Sequence, residues 1–144
     1  RGNAKGSVII QTYNPDHYVV KRASCHDYIG FFKEENEWRK TLMYPPYTHI
    51  LRVVSSSEQE KTAALCARAV FRTIEEALDA QEEVPQILGP APCPLARINK
   101  RFRHQILVKS PNILLLSSIG RYIINKERPA DARIEIDVDP LATM

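Results

Sequence analysis

Five cations fall within thirteen residues of this chain: Arg97, Lys100, Arg101, Arg103 and Lys109, with no Asp or Glu among them. The whole chain carries 20 Lys and Arg against 17 Asp and Glu, so the rest is slightly acidic and the positive field is local. Like charges packed this closely repel one another. A polyphosphate backbone offsets that repulsion by giving up its own counterions, which makes nucleic acid the natural partner. An acidic protein tail is the other chemistry that fits, and a merely solvated strand face is the alternative with no function.

Other chemistry is scarce. No GxxxxGK[ST] loop, GxGxxG turn or HExxH helix occurs. His17, His26, His49 and His104 stand apart from one another, and Glu34, Glu35 and Glu37 read as a solvated helix face. Asp137 and Asp139 read as one outward strand acid and one turn acid before Pro140, not as cation ligands. Cys25, Cys66 and Cys93 are odd in number and never form a CxxC pair, so they read as reduced, buried small hydrophobes and not as a zinc knuckle. No catalytic set and no metal site are expected in this chain, which by itself should not hydrolyse ATP. Phe102 is the only aromatic in the basic stretch, too few for an aromatic base-stacking face.

The stripe needs a scaffold. Pro90, Pro92 and Pro94 predict a proline-punctuated turn, after a short strand over 84–88. A basic strand over 101–109 follows, with Ile106 and Val108 on one side and Arg101, Arg103, Gln105 and Lys109 on the other. Before it come a strand over 48–54 and a helix of about six turns, capped by Ser57 with Glu60 and striped by Ala67, Val70, Phe71, Ile74 and Leu78. After it, Ser110 and Pro111 start a helix carrying Leu115, Leu116, Ile119 and Ile123 inward. A final strand alternates Ile134, Ile136 and Val138 with Arg133, Glu135 and Asp137. The order βαββαβ predicts an α+β, ferredoxin-like domain over residues 44–144, with helices on one sheet face and the other face left open.

Residues 1–43 read as an appendage. Val8, Ile9 and Ile10 suit a strand over 7–13 buried on both faces, whose sheet partners lie elsewhere and which is marginal without them. Two helices follow, over 16–23 and 25–42, the second starting at Ser24 with Asp27 and packing most of its aromatics inward. Hydrophobic residues make up 44% and charged residues 26%, with no apolar run of membrane-spanning length, so a cytoplasmic protein is expected.

Four stretches carry a family resemblance: GSVIIQTYNPDHY at 6–18, DYIGFFKEENEWRKTLMYPPY at 27–47, ILGPAPCPLARINKRFRHQILVKS at 87–110 and IDVDP at 136–140. In this order they resemble the C-terminal end of the bacterial primosomal protein N′ family, the PriA replication-restart helicases. The resemblance implies that Arg1 and Gly2 are the remnant of an arginine-rich last helicase motif, and that 1–43 is the tail of the second helicase lobe. It implies a C-terminal domain like a small-subunit ribosomal protein in fold. Arg97, Lys100, Arg101, Arg103 and Lys109 would bind fork or single-stranded DNA. For the parent it implies an ATP-dependent 3′–5′ DNA helicase using ATP, Mg²⁺ and Zn²⁺, none held by this stretch, with single-strand DNA-binding protein and primosome proteins as partners. In some relatives a basic residue follows the proline matching Pro111, where Asn112 and Ile113 stand here. A protein-docking module bridging the helicase lobes, and a free-standing ferredoxin-like regulatory or RNA-binding domain, are the competing expectations.

Overall fold

The computed structural model describes residues 6–79, 81, 83–126 and 131–141. Arg1 and Gly2, the expected helicase-motif remnant, lie outside them. The chain divides into two compact units, Arg1–Leu42 and Met43–Met144.

In the first unit the expected strand over 7–13 is not formed. Val8 and Ile9 are 86% and 91% exposed, because no described segment offers them a ladder. Helix α1 spans Tyr18–Ser24 and is capped by the His17 ring, which accepts from the Val19 amide. Helix α2 spans Tyr28–Thr41. Its cap is Asp27 itself, not Ser24: one carboxylate oxygen accepts from the Gly30 amide at 2.9 Å and the other takes the Arg22 guanidinium at 2.7 Å. A Cβ on Gly30 would sit 2.2 Å from that carboxylate, so a larger residue here would push the Asp27 side chain aside. Tyr18 donates to Glu35, and Arg22 also reaches Glu34 at 3.4 Å. No residue of α2 is buried; Tyr28, Phe32 and Trp38 face outward, against expectation. A two-helix hairpin has no second layer on which to bury them.

The second unit is built as β1 (His49–Ser57), α3 (Glu60–Leu78), β2 (Gln86–Ile98), β3 (Arg101–Ser110), α4 (Ile113–Ile124) and β4 (Arg133–Val138). The sheet order is β2-β3-β1-β4 with every neighbour antiparallel, the ferredoxin-like arrangement. Leu51, Val53, Ile106 and Val108 meet Val70 and Ile74 of α3 and Leu116, Ile119 and Ile123 of α4 in one core. Each such side chain contributes about 1.5–3 kcal/mol by burial.

Several local expectations are corrected. Ser57 does not cap α3; it accepts from the Gln59 amide and donates to Asp131, drawn there by its place on the buried sheet face. Asn112, not Ser110, caps α4, accepting from the Leu114 and Leu115 amides, while Ser110 donates to Glu83 at 2.6 Å. The proline stretch is no turn. It is the middle of β2, an edge strand, where prolines cost no ladder donors on the outer side. Register shifts between Leu88 and Ala91 and between Pro92 and Arg97 absorb the misfit. Gly89 takes φ +101 at the first shift, with no room for a Cβ beside the Gln105 carbonyl. Cys66 and Cys93 are buried but Cys25 is exposed.

The helix-free sheet face is closed along much of its length, not open. Ile50, Val54 and Leu107 are buried on it, and the Tyr44 ring lies 3.7 Å from the Lys109 ammonium. At the same end Asp139, at φ +52, ties the chain after β4 to the start of β1. Its carboxylate accepts from the Ile50 amide at 3.0 Å and meets the His49 ring at 2.6 Å.

Burial pushes the Asp139 carboxyl up, but those two hydrogen bonds and the charge of the His49 ring outweigh it, so the group titrates below the ordinary carboxylate range. The stability it adds is therefore complete above the unfolded value of about 3.9 and is lost as pH falls through the lower folded value. Asp139→Ala is expected to lower the unfolding free energy read from urea titration by about 1 kcal/mol at pH 7, the partial exposure of the pair keeping the effect small. The gap between variant and parent should close under acid.

Candidate nucleic-acid interface

The β1–β3 register decides where each cation points. Leu51 pairs with Val108 and Val53 with Ile106, all four on the helix side, so Arg101, Arg103 and Lys109 turn to the opposite face. The five cations do not stay together there. Lys109 is 5% exposed, desolvation lowers its pKa, and it packs against the Tyr44 ring instead of standing free beside the other cations. Arg97 pairs with Phe102, shares the helix-side face with it, and lays its guanidinium 4.8 Å over the ring. Lys100 sits exposed in the two-residue β2–β3 turn, where Asn99 at φ 48 and Lys100 at φ 64 make the hairpin geometry that matches strand twist.

Arg101 and Arg103 remain, and Arg133 joins them. Ser56 pairs with Arg103 on one side and with Arg133 on the other, so the two arginines flank one small side chain in a single row. Two strand spacings put their Cα atoms about 10 Å apart. Ser56, Ile98, Asn99, Arg101, Arg103, Arg133 and Glu135 line a cleft of about 260 Å³. Sequence reading missed Arg133 because it lies on the last strand; its alternation with Ile134 and Ile136 was visible, but its neighbour two strands away was not.

The cations of the cleft differ in freedom. Arg101 donates through Nη2 to the Ser56 and Asp131 carbonyls at 3.0 and 2.7 Å, and its Nη1 lies 3.9 Å from Glu58. It latches the start of β3 to the turn before β4. Its Nε is buried without a partner, a donor that water or a ligand oxygen would satisfy. The side chains of Arg103 and Arg133 make no hydrogen bond or ion pair with the described residues. Unspent guanidiniums beside a small residue can grip an anion by paired N–H donors.

Among the described residues no three His, Cys, Asp or Glu gather. No helix among them is long and apolar enough to cross a membrane.

Comparison with known proteins adds a second line. Residues 40–141 match the family described as the primosomal protein N C-terminal domain. The chain is 38% identical to the replication restart protein PriA of Synechocystis, over 99% of this chain and 17% of that protein. It is 33% identical to PriA of Bacillus subtilis, over 100% of this chain and 18% of that protein. For PriA of Treponema pallidum the identity is 35%, over 94% and 20%. The chain thus spans about a fifth of the length of these relatives.

The arginines should separate by role in a stability test. Arg101→Gln is expected to lower unfolding free energy by about 1–3 kcal/mol, having lost two carbonyl partners. Arg103→Gln and Arg133→Gln should each stay within about 0.5 kcal/mol of the parent in urea titrations.

Proposed function

This chain belongs to the primosomal protein N C-terminal domain family, and from that premise we propose that it is the DNA-backbone-binding module of a replication restart protein. The observation that carries the proposal is the row Arg103–Ser56–Arg133, two guanidiniums that bond none of the described residues, over one cleft. The module holds DNA for a larger protein that would supply ATP-driven 3′–5′ unwinding together with its nucleotide and metal sites. Primosome proteins are partners on the same family grounds.

An acidic tail, such as that of single-strand DNA-binding protein, fits the start of α4 poorly. Asn112 already caps that helix, and the Glu83 carboxylate bonds Ser110 and Asn112 at 2.6 and 3.3 Å. A second anion there would meet like charge. The cleft on the sheet face is the better seat for a polyanion, and its donors suit phosphate oxygens without reading bases.

The test is fluorescence anisotropy with a labelled duplex across a salt series. Affinity is expected at about 10⁻⁴ to 10⁻⁶ M near physiological salt, independent of sequence. Two or three neutralised phosphates give a log–log slope of roughly −2 to −3. The double variant Arg103→Gln/Arg133→Gln should stay folded and flatten the slope by up to about 2. A folded double variant with parental affinity and slope would remove DNA from this face.

A further inference from the structure

Resting on the DNA reading above, we propose that Glu135 is an electrostatic brake built into the cleft, holding its affinity for a phosphate backbone below what the arginines alone would give. Glu135 lines the same cleft as Arg101, Arg103 and Arg133. It lies two residues from Arg133 on β4, so both side chains leave the sheet on the same face. Like those of Arg103 and Arg133, its side chain makes no hydrogen bond or ion pair with the described residues. A carboxylate that bonds none of the described residues holds no geometry among them, yet its charge acts on whatever enters. Arg101 is already balanced by Glu58, so the unbalanced charges facing the cleft are two cations and this one anion.

Two residues along a strand is about 7 Å, close enough for a carboxylate to repel a phosphate seated on Arg133 through the cleft. A weakened site is useful in a module that is a fraction of a longer protein. Alone it releases bulk DNA quickly; joined to other contacts on the same molecule it still adds its share through raised effective concentration. The brake therefore makes retention depend on several contacts being satisfied together.

The experiment compares duplex binding of the chain with Glu135→Gln and Glu135→Asp, beside Arg103→Gln/Arg133→Gln. Glu135→Gln is expected to bind about three- to tenfold tighter at low salt, with the gain shrinking as salt screens the charge. Glu135→Asp, which keeps the charge, should bind like the parent. Glu135→Thr, suited to an edge strand, carries the same expectation as Glu135→Gln and serves as its parallel. Unchanged or weaker binding by both neutral variants, with binding still lost in the double arginine variant, overturns the brake and leaves the DNA reading standing. Parental binding by the double arginine variant overturns both.

Discussion

The pairing of β1 with β3 through Leu51–Val108 and Val53–Ile106 is the constraint on which the rest depends. These four side chains lie under α3 and α4, where Val70, Ile74, Leu116, Ile119 and Ile123 cover them. Once they do, the pleat leaves no freedom: every odd residue of β3 goes to the far face. A slip of one residue would exchange Arg103 with His104 and turn Ile106 out to the far face. The position of the cationic row is thus a by-product of core burial, and the core cannot be repacked in another register without dismantling the site.

Much of this was legible in the chain because it rests on period. The alternation over 106–109 and 133–138 and the helical stripes of α3 and α4 state their faces directly, and with them the element order and the sheet. What period does not state is the partner. Asp27, Asn112 and Ser57 each had several amides or carboxylates within reach, and the choice was made by tertiary contacts such as Arg22 and Asp131. The proline run misled for a related reason: proline forbids a central strand, but β2 is at the edge, and only the sheet order reveals that.

The basic stripe shows both halves of the lesson. Its local charge was visible, yet the five residues were joined by nearness in sequence, and folding sorts them by parity, burial and turn geometry. Lys109 fell to burial, Arg97 to the wrong face, and Arg133 was gained from the strand on the other side of β1. Membership of the primosomal protein N C-terminal domain family fits the fold.

The prolines of β2 also govern what this domain can do in company. Pro90, Pro92 and Pro94 present no N–H, so the outer rim of the sheet lacks much of the donor row that another chain would need to extend it. The opposite rim, β4, is only six residues long and alternates charges outward. A sheet finished in this way can sit beside exposed strands of other chains without being zipped into a neighbour.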